Sequence, residues 1–166
     1  MDREKTMHDK KIPIIKEAVL LELRGNAFYT KLADTAPDRE IASFFRMMAA
    51  EEEEHARLLM EELAGSPKKT GGAGPVFRAA DAVLPPDALA GLNPAGFEAA
   101  AISAAIDLET RSIELYARQA AETADPAERS IFSRLAAWEE GHREKLLQID
   151  RELQERFRTD NNFQPY

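Results

Sequence analysis

The stretch EEEHARLL at residues 52–59 returns in altered form as EEGHREKL at residues 139–146, and this repetition decides the fold. Shifting the chain by 87 positions places Glu52 on Glu139 and His55 on His142. Between residues 21 and 59, 14 of the 39 aligned positions are identical without a gap, so the similarity extends well beyond the motif. Alanine, leucine, arginine and glutamate around the motif favour helix. The internal repeat therefore indicates a duplicated helical hairpin.

Each half of the repeat has a glutamate, a tyrosine seven positions later and then a Glu-x-x-His motif. The residues are Glu22, Tyr29, Glu52 and His55 in the first half, and Glu109, Tyr116, Glu139 and His142 in the second. Side chains three apart on a helix project from nearly the same face, and the helical neighbours of both motifs are apolar. We therefore expect these four glutamates to point into the protein.

Apolar residues recur every three or four positions in four long segments, and no segment shows a convincing period of two. This pattern predicts a hairpin over residues 12–64 and a second hairpin over residues 97–157. Pro37 is placed to begin the second helix, and Asp125-Pro126-x-Glu128 resembles the capped start of the fourth. The intervening residues 65–96 are rich in glycine and proline and are predicted to be a crossover linker with a short helical piece near residues 85–91. The third helix is predicted to begin near Asn93–Pro94, and residues 158–166 are predicted to be a tail.

The long linker distinguishes between two bundle topologies. A helix of roughly 25 residues is about 38 Å long, and a linker of roughly 30 residues can span that distance. The second and third helices can therefore run parallel, whereas an up-down-up-down bundle needs no such link. The sequence thus predicts a single all-α domain over residues 1–166, a four-helix bundle of the ferritin-like arrangement.

The composition excludes several classes of function. A net charge of −8 argues against a nucleic-acid partner, which requires a basic face. The absence of cysteine removes disulfides, thiolate nucleophiles and iron–sulfur sites. The first 25 residues lack an uninterrupted apolar core, so neither a secretory signal nor a membrane span is predicted, and a cytoplasmic location is expected.

Four carboxylates that converge in an apolar core require charge compensation, because desolvating one bare charge costs several kcal/mol. No lysine or arginine obviously shares their faces. Two divalent cations would balance four carboxylates, and two neutral imidazoles would complete the ligand set. Oxygen and nitrogen ligands without sulfur suit iron(II) or manganese(II), with zinc as another possible occupant. The remaining acidic residues beside the motifs are expected to be wholly or partly solvated: Glu51, Glu53, Glu54 and Glu140.

At these residues the chain resembles the ferritin-like carboxylate proteins, and most closely a rubrerythrin-type domain, over roughly residues 12–155. The resemblance implies a centre of two iron ions in which Glu52 and Glu139 bridge the metals. His55 and His142 would each be a terminal ligand of one metal, as would Glu22 and Glu109. Tyr29 and Tyr116 would be hydrogen-bond donors beside the ligands.

The chain departs from the rubrerythrin pattern in two ways. It has no cysteines for a rubredoxin-like iron site, and Ser112 stands where rubrerythrins carry a further glutamate. Glu114 lies on the wrong side of the helix to replace it. The remaining set of four glutamates and two histidines is closer to the di-iron centre of bacterioferritin, without its haem methionine pattern.

The resemblance implies an oxidoreductase that reduces peroxide or dioxygen with electrons from an external donor. The alternatives are an iron-binding, ferroxidase or storage-related protein without peroxidase turnover, a metal-free structural bundle, and a hydroxylase of an organic substrate. A homo-oligomer is expected, with a dimer favoured. Trp138 is expected to serve packing or a dimer surface.

Overall fold

The computed structural model describes residues 2–36, 39–64 and 96–160. These residues form four α-helices and no strand: α1 (Asp2–Thr35), α2 (Arg39–Leu63), α3 (Phe97–Glu122) and α4 (Pro126–Asp160). α1 packs along α2 and α3 packs along α4, so the structure consists of two helical hairpins. The prediction of an all-α, ferritin-like four-helix bundle is confirmed.

Three helix ends differ from the sequence prediction. The third helix begins at Phe97, after its N-cap Gly96, rather than near Asn93–Pro94. α1 begins at Asp2 rather than near residue 12, and α4 continues to Asp160 rather than to about residue 157. Both added segments are rich in charged residues and lack the apolar periodicity on which the prediction relies. Pro37, the crossover linker with its short helical piece, and the last six residues of the tail lie outside the described residues.

The start of α4 follows the predicted capping pattern. The Asp125 carboxylate accepts a hydrogen bond from the backbone N–H of Ala127 at 2.8 Å, and Pro126 is the first helical residue. Glu128 accepts a hydrogen bond from the hydroxyl of Thr123, which in turn accepts one from the backbone N–H of Asp125. These contacts fix the tight turn between α3 and α4.

The core consists of two apolar clusters, and residues from both hairpins contribute to each. One cluster contains Tyr29, Phe44, Met48, Ala105 and Leu146 among others. The other contains Ala18, Leu59, Leu115, Tyr116 and Leu135 among others.

On every helix, the predicted polar residues lie between members of these two clusters. Glu22 lies between Ala18 and Tyr29 on α1, and the Glu-x-x-His motif of α2 lies between Met48 and Leu59. The same alternation recurs on α3 and α4. A polar layer therefore crosses the middle of the bundle with apolar packing on either side. Within the described ranges, no helix is both long and apolar enough to cross a membrane.

Candidate metal centre

The four predicted glutamates and two histidines meet in the polar layer, and all six side chains are buried. They form two groups of four, and within each group one candidate ligand atom per residue lies within 4.8 Å of the others. One group is Glu22, Glu52, His55 and Glu139, and the other is Glu52, Glu109, Glu139 and His142. Glu52 and Glu139 belong to both groups. The first group is called the His55 position below and the second the His142 position.

Both histidines direct Nδ1 toward the shared carboxylates. His55 Nδ1 lies 2.8 Å from Glu139 Oε1 and 3.3 Å from Glu22 Oε2. His142 Nδ1 lies 3.1 Å from Glu139 Oε2 and 3.3 Å from Glu52 Oε1. The two imidazole rings lie nearly parallel, with their centroids 5.9 Å apart. Two similar sets of oxygen and nitrogen atoms therefore face each other across the shared glutamates.

Two buried carboxylate oxygens lack a partner, which is the arrangement that a bound cation would resolve. Glu52 Oε1 and Glu139 Oε1 have no hydrogen bond of acceptable geometry among the described residues, although histidine nitrogens lie close to both. Leaving a buried polar atom unpaired costs roughly 1–3 kcal/mol, and more for a charged group. The unpaired oxygens belong to the two shared glutamates. The residues present therefore fit a pair of divalent cations.

Glu22 and Glu109 each belong to only one of the two groups and are called the outer glutamates below. Both favour their neutral form in the metal-free protein. Burial raises the pKa of Glu22 well above its ordinary value, and the charge of Glu139 adds to this. Burial also raises the pKa of Glu109, again reinforced by the charge of Glu139 and by that of Glu52. Each of these glutamates therefore tends to keep a proton, because a further negative charge in the apolar core is unfavourable.

The pKa values of the two shared glutamates, Glu52 and Glu139, shift in the opposite direction. Burial opposes the charged form of Glu139, but the nearby charges of His55 and His142 and the hydrogen bond to His142 lower its pKa below the ordinary value. Burial and the charge of Glu139 oppose the charged form of Glu52, but polar contacts with Glu22 and both histidines outweigh them and lower its pKa.

The histidines complete the charge balance. Burial lowers the pKa of His55, yet the charge of Glu139 and the polar contact with Glu22 raise it well above the ordinary value. Hydrogen bonds to Glu139 and Glu51 likewise outweigh burial and raise the pKa of His142. These directions favour a metal-free cluster of two carboxylates, two imidazolium ions and two neutral carboxyls. Two divalent cations with four carboxylates and two neutral imidazoles have the same net charge, so cations can replace protons without changing the charge of the core.

Each predicted tyrosine donates a hydrogen bond across the bundle to an outer glutamate. The hydroxyl of Tyr29 donates to Glu109 Oε1, and the hydroxyl of Tyr116 donates to Glu22 Oε1. Burial raises the pKa of Tyr29 well above its ordinary value, and the neighbouring carboxyl groups reinforce this, so this hydroxyl keeps its proton. Each tyrosine therefore couples one hairpin to the other, and its role beside metal ligands stays a prediction.

Gly25 provides space for one of the shared glutamates. A Cβ atom at this position would lie 3.2 Å from both Cγ and Cδ of Glu52. Ser112, the repeat equivalent of Gly25, is buried, whereas Glu114 is exposed as the sequence predicts. Neither residue brings a further carboxylate into the cluster.

The prediction that Glu51 is solvated is wrong. Only 8% of Glu51 is exposed, and its Oε2 lies 2.5 Å from Nε2 of His142. Because α2 lies beside α4 at this level, the residue before Glu52 points toward the opposite histidine rather than toward water. The rest of the prediction holds: Glu53 and Glu140 are exposed, and Glu54 pairs with Arg57 at the surface.

Trp138 contributes to the site as well as to packing. Its ring stacks on the imidazole of His55, with centroids 4.9 Å apart and an interplanar angle of 10°. The guanidinium of Arg134 lies over the same indole at 5.2 Å from its centroid. The sequence contains one indication of both contacts. Glu51 and Trp138 are equivalent positions of the repeat, and each directly precedes a shared glutamate.

Comparison with known proteins identifies the family. No curated protein matches the chain. The family model described as Rubrerythrin matches residues 13–149, a range that contains both hairpins' candidate ligands and all the residues that contact them. The matched range covers most of the chain, and together with the paired Glu-x-x-His motifs in a four-helix bundle it shows that the chain belongs to the rubrerythrin family.

Proposed function

We propose that this protein is an oxidoreductase with a dinuclear iron centre that reduces peroxide or dioxygen with electrons from an external donor. The observation that carries the proposal is that Glu52 and Glu139 belong to both candidate ligand groups. Two cations held by the same two carboxylates would lie close together, and two neighbouring one-electron donors would suit the two-electron reduction of an O–O bond. Two iron ions would supply one electron each, and manganese also suits this ligand set.

The surrounding residues have distinct roles in the proposal. Glu52 and Glu139 would help to hold both cations, His55 and Glu22 would complete one position, and His142 and Glu109 would complete the other. The apolar clusters on either side of the polar layer exclude water and limit side reactions.

Reduction of hydrogen peroxide to two water molecules consumes two protons as well as two electrons. The hydroxyl groups of Tyr29 and Tyr116 hold protons directly beside the outer glutamates. We propose that they keep the outer carboxylates in place and hold protons near the site of reduction.

A second candidate is an iron-binding or ferroxidase protein without peroxidase turnover. The absence of cysteine favours this alternative, because the 166 residues contain no iron–sulfur or rubredoxin-type centre that would return electrons to the site. The number of iron ions per chain and the size of the assembly distinguish storage from a two-iron centre. We further propose a homodimer in the cytoplasm, and light scattering would measure the size of the assembly.

The test is to load the metal-free protein with two equivalents of iron(II) without oxygen and then to add hydrogen peroxide. We expect a rise in near-ultraviolet absorption as iron is oxidised, consumption of one peroxide per two iron ions, and turnover when a reductant is supplied. His55→Gln and His142→Gln should each prevent the paired oxidation, whereas Glu53→Gln, an exposed glutamate of the same run, should behave like the unaltered protein. Oxidation without turnover at any reductant concentration would favour the ferroxidase alternative, and no oxidation would reject both.

A further inference from the structure

The two halves of the repeat differ at the residue that precedes each shared glutamate. Glu51 in the first half corresponds to Trp138 in the second. Each side chain reaches the histidine of the opposite hairpin: Glu51 contacts Nε2 of His142, and Trp138 stacks on His55. Equivalent positions therefore give one histidine a carboxylate and the other an indole.

A carboxylate at Nε2 strengthens a histidine as a metal ligand. With Nδ1 of His142 directed at the shared glutamates, its Nε2–H donates to Glu51, which fixes the tautomer and makes Nδ1 more electron-rich. The carboxylate also adds a negative charge close to the His142 position. Glu51 is itself nine-tenths buried, so solvent screens this charge poorly.

The indole gives His55 neither advantage. Trp138 has no lone pair to accept a hydrogen bond from an imidazole, because the indole N–H is a donor only. The guanidinium of Arg134 over the same ring adds positive charge on the His55 side of the centre. Both contacts therefore make the His55 position less favourable for a cation than the His142 position.

The contacts that the two positions share do not produce such a difference. Each position has one outer glutamate that accepts a hydrogen bond from a tyrosine of the opposite hairpin, and each uses the same two shared glutamates. The contacts that the two positions share therefore do not offset the difference between Glu51 and Trp138.

We propose that Glu51 is a positioning residue that makes the His142 position bind its cation more tightly, so that the two positions fill in a fixed order. The first cation enters beside His142 and Glu109, and the second enters beside His55 and Glu22. This inference rests on the proposed dinuclear centre, but it concerns binding order and does not depend on which reaction the centre performs.

The experiment uses zinc as a diamagnetic probe and the three histidines of the chain as reporters. Metal-free protein labelled with ¹⁵N in the histidine rings is titrated with Zn²⁺, and the ring nitrogens are followed by NMR, with His55→Gln and His142→Gln used for assignment. We expect the first equivalent to shift the His142 signals and the second equivalent to shift those of His55. Calorimetry on the same samples gives the two dissociation constants.

Three variants test the role of Glu51. Glu51→Gln should weaken binding at the His142 position by about 10–100-fold and abolish the fixed order. Trp138→Glu supplies the missing carboxylate and should tighten binding at the His55 position, so that both histidines respond together. Glu53→Gln removes an equal charge from the exposed face of the same helix and should leave both order and affinity unchanged.

The outcomes separate this inference from the proposed function. Uptake first at His55, simultaneous uptake in the unaltered protein, or an unchanged order in Glu51→Gln would overturn the inference while leaving a dinuclear centre in place. Failure of the unaltered protein to bind two zinc ions would reject the centre itself. The Trp138→Glu arm tests for a gain of affinity, so it keeps the inference falsifiable even if Glu51→Gln folds poorly.

Discussion

The hydroxyl of Tyr116 donates a hydrogen bond to Glu22, which lies 94 residues earlier on the other hairpin. Tyr29 makes the reciprocal contact with Glu109 across 80 residues. These two hydrogen bonds link α1 to α3 at the level of the candidate metal centre. Because both partners are fully buried in each case, the contacts contribute to the stability of the bundle as well as to the position of the outer glutamates.

Tyr29→Phe and Tyr116→Phe should therefore each destabilise the metal-free protein. Removing the hydroxyl leaves a buried carboxyl without its donor, which costs roughly 1–3 kcal/mol. Since the two contacts are related by the repeat, we expect the two variants to lose similar amounts of unfolding free energy, measured by urea denaturation with a chelator present. A neutral effect of either substitution would show that its hydrogen bond is dispensable.

Gly25→Ala should reduce metal binding although alanine is the better helix former. The new Cβ would lie 3.2 Å from the side chain of Glu52, so this glutamate must shift. Glu52 belongs to both ligand groups, and its displacement should weaken both positions and lower the metal content measured after loading with Mn²⁺.

The matched control for this substitution is Gly141→Ala, which changes a partly exposed glycine within α4. Replacing glycine by alanine inside a helix stabilises by up to about 1 kcal/mol. The control should therefore show a higher melting temperature with unchanged metal content. Full metal content in Gly25→Ala would contradict a close fit between Gly25 and Glu52.

The fold could be predicted from the sequence because the same pattern of glutamate, tyrosine and Glu-x-x-His occurs twice at a fixed spacing. A single Glu-x-x-His motif is compatible with a surface helix, whereas its return 87 residues later with a matching glutamate and tyrosine indicates a buried layer. The burial of Glu22, Glu52, Glu109 and Glu139 bears this out. Their roles as metal ligands stay a prediction that the metal-loading experiments test.

Glu51 shows where sequence reasoning failed. In a run of four glutamates, helical periodicity places only Glu52 on the inner face, so Glu51 was expected in water. Periodicity describes one helix, whereas the burial of Glu51 depends on the approach of α4 and the presence of His142 there. Contacts between hairpins of this kind follow from tertiary packing and not from a local pattern. The beginning of α1 was missed for a different reason, because a charged helix has no apolar stripe to detect.

The stability of the metal-free protein should fall as the pH rises above about 6.5. The pKa values of His55 and His142 are raised above the ordinary 6.5, so the stability they contribute is present below that pH and is lost as the pH rises through their folded values. The raised pKa values of Glu22 and Glu109 have the same sign, with the loss beginning above the ordinary 4.5. The lowered pKa values of Glu52 and Glu139 contribute stability that is lost only in acid, below 4.5.

Thermal melts of chelator-treated protein between pH 6 and pH 9 would measure this dependence. We expect a falling melting temperature, and a flatter profile in the variant that combines His55→Gln with His142→Gln. In Glu53→Gln the profile should keep the slope of the unaltered protein, since Glu53 is exposed. A melting temperature that rises over this range would contradict the proposed protonation of the cluster.

Cation binding should oppose the fall in melting temperature with rising pH, because bound metal takes the place of the protons. A ligand that binds only the folded state at 100 times its dissociation constant adds about 2.7 kcal/mol, or roughly 5–10 °C in melting temperature for a protein of this size. We therefore expect Mn²⁺ to raise the melting temperature, and to raise it more at pH 8 than at pH 6, since protons compete with the metal for the same atoms. The double histidine variant should lose most of this shift. An equal rise in melting temperature in that variant would show that manganese binds elsewhere on this acidic protein. The buried cluster would then serve only to join the two hairpins.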